Sequence, residues 1–262
     1  MFDAFVLFCA GLLGGVVNSI AGGGSFITFP ALLFAGVPPV SANATNTFAS
    51  FFGYLSGAYA FRQDLAAHRA GLLHLVVVSF VGGLAGAWLL LQASDAVFRE
   101  AIPWLLLFAM LLFVFGNRLN ALLRRLAAGH RHASLAGASA LLLLLLAVAT
   151  YGGFFNAGLG IITLSYLSLA GHTDIHAMNG LKLLVSSAVS LVAIVLFVAS
   201  GVLAWYEGTL VLLGTLVGGY VAAHTSRRLP QPWVRLFVIV AGAATTLYFF
   251  VDTYAVDTGL VD

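Results

Sequence analysis

Residues 18–30 read NSIAGGGSFITFP and interrupt an apolar segment that runs from residue 2 to residue 36. A continuous helix of that length would measure about 52 Å at ~1.5 Å per residue, which exceeds the ~30 Å hydrocarbon core of a bilayer. The segment therefore has to bend or break, and the glycine triplet at 22–24 favours unwound backbone there. Ser25 follows as the predicted N-cap of a second helix. Backbone N–H groups at such a helix start suit an anion.

Composition assigns the chain to the polytopic membrane proteins. Of its 262 residues, 61% are hydrophobic and 8% are charged, and the mean hydropathy is +1.06, values that soluble domains do not reach. The net charge of +2 is too small to favour a nucleic-acid partner. The single cysteine, Cys9, excludes an internal disulfide and a thiol-based metal or redox centre. The N-terminus carries no basic residue ahead of its apolar run, so no cleaved signal peptide is predicted.

A shift of 136 residues aligns landmarks of the two halves. The matched pairs are Gly22 with Gly158, Gly24 with Gly160, Asn43 with Asn179, Asn46 with Lys182, and Ser50 with Ser186. In each half a glycine-broken segment is followed by a polar-striped helix, a Gly-Gly helix and a basic turn. This order predicts two membrane repeats, residues 1–117 and 134–262, joined by a basic cytoplasmic linker, residues 118–133. Duplicated transporters usually bind their substrate where the halves meet.

The placement of basic residues predicts how often each half crosses the membrane. If both broken segments return to the side on which they begin, every Lys and Arg except Arg99 and Lys182 lies in the cytoplasm. Each half then holds one re-entrant hairpin, or two short helices, plus three transmembrane helices. An odd number of spans makes the repeats inverted. The predicted fold is therefore an all-α polytopic membrane protein of two inverted repeats.

Lys182 has the most unfavourable free energy of membrane insertion in the chain, because a lysine at a helix centre costs about 2.5–3.5 kcal/mol on insertion scales. One interpretation is that its side chain snorkels to the headgroups. The other is a polar cavity, because Asn179, Lys182 and Ser186 share one helix face and the first half repeats their spacing from Asn43. Two matched polar faces favour the cavity, in which Lys182 supplies the net charge and favours an anion.

The glycines and the amides beside them each have two interpretations. Small residues in membrane helices also permit close packing, and the pairs 11–15, 53–57, 82–86 and 214–218 are interpreted that way. Asn18 and Asn156 precede the two breaks and either brace unwound backbone or contact a ligand. No His or carboxylate cluster has metal-ligand spacing, so neither a metal nor a cofactor is predicted. None of the nine acidic residues lies deep in a predicted span, which disfavours coupling to protons through a carboxylate.

Three stretches resemble the TauE/SafE family of bacterial sulfite exporters, namely GGVVNSIAGGGSFITFPALL (14–33), ANATNTFASFFGYLSGAY (42–59) and the degenerate copy GGFFNAGLGIITL (152–164). The resemblance implies an inner-membrane carrier of sulfite, of organosulfonates such as sulfoacetate, or of other sulfur compounds. The family's motif residues fall on Gly22, Gly23, Gly24 and Ser25, and on Asn43, Thr45 and Asn46 in the following helix. Where the family commonly has a small-hydroxyl pair, this chain has Gly180 and Leu181 before Lys182, which leaves the substrate open.

The leading hypothesis is a secondary transporter that moves a small sulfur-containing anion across the bacterial inner membrane by alternating access. Its predicted partners are that anion and the lipid bilayer, with a homo-oligomer left open. The candidate substrate-binding residues are Asn18, Gly22, Gly23, Gly24, Ser25, Asn43, Thr45, Asn46, Asn156, Gly158, Gly160, Asn179, Lys182 and Ser186. An anion channel is the first alternative. A membrane-embedded enzyme is disfavoured because no Ser, His and acid are grouped within the spans.

Overall fold

A computed structural model describes residues 2–20, 23–67, 71–127, 135–225 and 231–254. Within these ranges every regular element is an α-helix, which agrees with the predicted class. The helices are α1 (Phe2–Ile20), α2 (Ser25–Phe34), α3 (Pro39–Ala60), α4 (Arg62–Ala67), α5 (Leu72–Gln92), α6 (Asp95–Ala127), α7 (Leu135–Phe154), α8 (Leu159–Leu169), α9 (Ile175–Ala199), α10 (Trp205–Thr225) and α11 (Gln231–Tyr254). Helices satisfy their own backbone hydrogen bonds, as the interior of a bilayer requires.

Both long apolar segments break at the glycines, as the sequence predicts. Helix α1 ends at Ile20 and α2 begins at Ser25, and α7 ends at Phe154 and α8 begins at Leu159. Gly23 and Gly158 have φ values of +115° and +81°, which residues with a Cβ rarely adopt. The first helix of each segment has 19 or 20 residues and the second has 10 or 11. In each segment the first helix is thus about twice as long as the second.

The half-length helix α2 folds back along α1. A methyl group added at Gly14 would meet Thr28 Cγ2 at 2.5 Å, and one added at Gly24 would meet Asn18 Cβ at 3.0 Å. Residues farther along α2 therefore contact residues earlier in α1, so the two helices are antiparallel. This geometry favours the hairpin alternative for the first broken segment.

Five helical stretches are long and apolar enough to cross a membrane by length and composition: Leu72–Gln92, Asp95–Gly116, Gly137–Phe154, Ile175–Ala199 and Pro232–Tyr254. The predicted spans α3 and α10 are not among them. α3 has 22 residues, but its Asn and Thr residues lower its hydropathy. The stretch 118–127, predicted as linker, continues α6, because its Leu, Ala and Arg residues favour a helix and it contains neither Gly nor Pro. The rest of the predicted linker lies outside the described residues.

Close glycine contacts pair α1 with α10 and α7 with α5. Methyl groups added at Gly11 and Gly15 would collide with the backbones of Val211 and Thr215, and the pair 82–86 of α5 approaches α7 in the same way. Such contacts need residues without side chains. The packing interpretation is confirmed for the pairs 11–15, 82–86 and 214–218. In the predicted repeat α1 corresponds to α7 and α10 to α5, so the two contacts would be equivalent.

Helices α3 and α9 cross in opposite directions. A methyl group added at Gly180 would meet Phe61 Cβ at 3.0 Å, whereas one added at Gly57 would meet Leu183 Cδ1 at 2.8 Å. Moving forward along α9 therefore means moving backward along α3. Inverted repeats require this relation between equivalent helices, and the inversion of the complete halves stays a prediction.

Candidate anion-binding site

Lys182 lies against the first turn of α8. A methyl group added at Gly160 would meet Lys182 Cδ at 3.3 Å, and the ammonium Nζ donates to Asn179 Oδ1 at 3.2 Å. The side chain is half-buried. Among the residues that the structure describes, no carboxylate oxygen lies within 4 Å of this ammonium. The lysine therefore brings a positive charge without a carboxylate partner to the start of a half-length helix.

The start of α8 is itself electropositive. The N–H groups of Ile161 and Ile162 both donate to the Gly158 carbonyl, at 3.0 and 3.2 Å, whereas the Gly160 N–H has no acceptor within the described part of the chain. A helix N-terminus carries a partial positive charge and binds cations unfavourably. Lys182 adds a full positive charge at the same place. An anion between them would stabilise both groups.

A second polar cluster lies where α3 crosses α9. The Tyr54 hydroxyl donates to Asn156 Oδ1 at 2.8 Å, and Asn156 Nδ2 donates to Ser190 Oγ at 3.1 Å. The side chains of Ser25 and Ser50 lie near the same phenol. These five residues, which we call the hydroxyl cluster, join the start of α2, the middle of α3, the break before α8 and the middle of α9.

Three members of the hydroxyl cluster are missing from the candidate substrate-binding residues: Ser50, which is named from the sequence only as the repeat partner of Ser186, and Tyr54 and Ser190, which are not named there. A signal for Tyr54 and Ser190 exists, because each continues its polar face by one more turn, from Ser50 to Tyr54 and from Ser186 to Ser190. The two positions are also 136 residues apart, which is the spacing of the repeat. A tyrosine and a serine do not resemble each other, so this pair is inconspicuous until their shared partner is seen.

Asn46 occupies, at the start of α2, the place that Lys182 has at the start of α8. It is 1% exposed, and its Oδ1 accepts a hydrogen bond from Thr28 Oγ1 at 2.6 Å. Its amide nitrogen has no acceptor among the described residues. The two half-helix starts thus differ in charge, one beside an amide and the other beside an ammonium.

Asn43 and Thr45 contact backbone of the second half. Asn43 Nδ2 donates to the Phe154 carbonyl in the last turn of α7 at 2.8 Å. Thr45 Oγ1 accepts from the Ala204 N–H, just before α10, at 3.1 Å. Both side chains are 1% exposed. Since helix ends leave carbonyl and N–H groups without intrahelical partners, these two candidates brace helix ends.

We expect Asn43→Ala to lower the free energy of unfolding by about 1–3 kcal/mol, because it leaves the half-buried Phe154 carbonyl without its donor. Thermal unfolding of the purified protein in detergent measures the change. Thr47→Ala is the matched control, since Thr47 Oγ1 donates only to the Asn43 carbonyl of its own helix, at 3.0 Å. Equal melting temperatures for the two variants would contradict the bracing role.

The remaining candidates lie at the edges of these clusters. Asn18 is half-buried, and its Nδ2 lies 3.9 Å from the position of a methyl group added at Gly53. Gly23 packs against α6, where an added methyl group would meet Phe113 Cε2 at 3.0 Å. Ser186 is 2% exposed and lies on the same face of α9 as Lys182. Gly22 lies outside the described residues.

Comparison with known proteins covers nearly the whole chain. The family model described as sulfite exporter TauE/SafE matches residues 7–249. A probable membrane transporter protein of Haemophilus influenzae is 28% identical over 248 residues, which are 94% of each chain. The probable membrane transporter protein YfcA of Escherichia coli K12 is 28% identical over 251 residues, 95% of this chain and 90% of that protein. No solved structure gives a significant match.

The matched range contains α2, α3, α8 and α9 in full, so it includes all helices that form the two clusters. It also includes four of the five candidate spans completely and most of the fifth. The relatives are named as membrane transporters and align over their own lengths as well. The chain therefore belongs to the TauE/SafE family and is a multi-pass transporter of the inner membrane.

Proposed function

We propose that this protein is a secondary transporter that moves a small sulfur-containing anion, sulfite or an organosulfonate such as sulfoacetate, across the bacterial inner membrane by alternating access. The observation that carries the proposal is the position of Lys182, which lies against Gly160 without a carboxylate within 4 Å among the described residues. A half-buried charge without a counter-charge has a desolvation cost that a neutral partner offsets only in part. A substrate anion would offset that cost each time it binds.

The chemistry of this position fits an oxyanion. Sulfite and sulfonate oxygens accept hydrogen bonds, and the Lys182 ammonium, the Gly160 N–H and the Asn179 amide are donors grouped at one helix start. Hydrogen bonds between ionised groups are roughly twice as strong as those between neutral ones. The backbone N–H alone would orient the anion but would select only weakly for negative charge. The Lys182 ammonium supplies that selectivity.

Alternating access is supported by the arrangement of the helices. Broken helices that point their N-termini at an anionic substrate near the midplane recur in carriers with inverted repeats. Here both breaks lie beside helices that cross in opposite directions, α3 and α9, and the close contacts of α1 with α10 and of α7 with α5 would be equivalent in the predicted repeat. In the proposed cycle, the anion binds between these elements and becomes accessible from one side at a time.

Reconstituted vesicles test the proposed function. We expect the purified protein to take up labelled sulfite with saturation, and we expect uptake to accelerate when unlabelled sulfite is loaded on the opposite side. Sulfoacetate, taurine and sulfate serve as competitors, and a thermal shift ranks them beforehand because a ligand at 100 times its Kd stabilises the native state by about 2.7 kcal/mol. Flux that rises linearly with concentration and ignores sulfite on the opposite side would indicate a channel instead.

A further inference from the structure

Lys182 and the hydroxyl cluster are too far apart for one small anion to contact both. Eight residues of α9 separate Lys182 from Ser190, which is about 12 Å at ~1.5 Å per residue. The ammonium donates to Asn179, one turn nearer the start of the helix, so it is directed away from Ser190. Sulfite is only a few ångströms across. An anion at the Lys182 position therefore leaves the hydroxyl cluster without a ligand.

The polar faces of α3 and α9 together have the length of a path across the membrane. The face from Asn179 to Ser190 and the face from Asn43 to Tyr54 are each about 16 Å long. Because the helices are antiparallel and the Tyr54–Asn156–Ser190 hydrogen bonds join them, the two faces overlap by only about one turn. Their combined length approaches the ~30 Å of the hydrocarbon core. Lys182 lies toward one end of this path, and the hydroxyl cluster lies at its middle.

Ser186 provides an independent sign that a ligand belongs in the middle of the path. It lies between Lys182 and Ser190 on one face of α9, one turn from each, and is 2% exposed. Its hydroxyl makes no side-chain hydrogen bond within the part of the chain that the structure describes, yet its oxygen is not among the fully buried atoms there that lack a partner. The Ser186 hydroxyl oxygen therefore keeps some accessible surface in the interior, where a small ligand could reach it. A bound anion would supply an acceptor.

We propose that the hydroxyl cluster is a second, uncharged binding station for the transported anion, separate from the Lys182 position. This inference rests on the proposed function. The anion's oxygens accept from the hydroxyls of Tyr54, Ser186 and Ser190 in place of the Tyr54–Asn156 hydrogen bond. Neutral donors hold the anion less tightly than an ammonium does, and a path conducts only if each position binds weakly enough to release. Lys182 captures the anion, and the hydroxyl cluster passes it across the midplane.

The Tyr54→Phe variant separates the two positions, because it removes one hydroxyl and keeps the ring. We expect its maximum rate of sulfite transport in vesicles to fall about tenfold, the effect of one lost hydrogen bond. Its Kd for labelled sulfite in equilibrium dialysis should change less than about threefold, because the Lys182 position is intact. Tyr59→Phe is the matched control on the same helix, since Tyr59 is 68% exposed and stacks its ring on Arg62.

A second variant keeps the proposal testable if Tyr54→Phe folds poorly. Ser190→Ala should also slow transport while sulfite binding is kept, whereas its control Ser187→Ala should not, because Ser187 Oγ donates to the Leu183 carbonyl of its own helix at 2.8 Å. The proposal is overturned if Tyr54→Phe and Ser190→Ala transport at the wild-type rate. It is equally overturned if they raise the Kd as much as Lys182→Gln does, which would mean one shared site.

The same measurements distinguish this inference from the proposed function. If wild-type protein neither binds nor transports sulfite or the other sulfur anions, the proposed function fails as a whole. If wild-type protein transports sulfite and the Tyr54→Phe and Ser190→Ala variants transport it equally fast, the proposed function stands and the second binding station is wrong.

Discussion

Replacing Lys182 with glutamine is expected to raise the Kd for sulfite about 10- to 100-fold and to abolish measurable transport at low sulfite concentration. A hydrogen bond to a charged group contributes about 1.5–3 kcal/mol, and each ~1.4 kcal/mol is a factor of ten in affinity. Glutamine keeps a polar side chain of similar length over Gly160, so the change isolates the charge. Equilibrium dialysis with labelled sulfite and uptake into vesicles measure the two effects.

The Lys182→Gln variant should be at least as stable as the wild type when no anion is present. The ammonium is half-buried and has no carboxylate within 4 Å among the described residues, so removing it relieves a desolvation cost. Lys182→Arg is the matched control, because it keeps the charge, and it should retain most of the affinity. A glutamine variant that melts at a lower temperature yet binds sulfite normally would show that the lysine is structural.

Replacing Gly24 with alanine is expected to give the largest loss of stability among single methyl additions near the site. Its φ of −54° suits alanine, so the whole effect is steric. The new methyl group would collide with the Gly14 carbonyl oxygen and lie 3.0 Å from Asn18 Cβ. Overpacking of this kind costs about 1–3 kcal/mol. Because α2 has to move away from α1, transport should be lost together with the drop in melting temperature.

Gly53→Ala is the matched control for this steric argument. Gly53 lies within α3, and the nearest heavy atom to an added methyl group is Asn18 Nδ2 at 3.9 Å. Alanine favours a helix over glycine by about 1 kcal/mol, so this variant should melt at the same temperature as the wild type or higher. If Gly24→Ala and Gly53→Ala melt alike, the packing of α2 on α1 is not as tight as described.

The broken segments could be predicted because the length of an apolar run and the position of its glycines are both properties of one continuous stretch of sequence. A run of apolar residues longer than the bilayer is thick has to end somewhere, and consecutive glycines are the least helical place within it. Residues 118–133 are predicted as a linker from their basic residues, and charge does not indicate that α6 continues through residues 118–127. Leu, Ala and Arg favour a helix whether or not the membrane surrounds it.

The candidate site was predictable only in part, and the reason is distance along the chain. The repeat paired Gly160 with Gly24 and Lys182 with Asn46, so all four became candidates, but it did not indicate that Lys182 lies against Gly160. Thr45 and Asn43 belong to the same polar helix, but their partners, Ala204 and Phe154, are more than 100 residues away. Periodicity along one helix cannot indicate which neighbour each side chain meets.

The interlocked contacts of α1 with α10 and of α7 with α5 decide which parts of the molecule can move as rigid bodies. In both pairs the backbones touch at glycines, and each pair takes one helix from either half of the sequence. A motion that separated the first half of the sequence from the second would break the contacts of α1 with α10 and of α7 with α5 at the same time. Each of these rigid units of the transporter therefore combines a helix from the first half of the sequence with one from the second, and α1 can contact α10 only after the chain has been synthesised as far as Thr225.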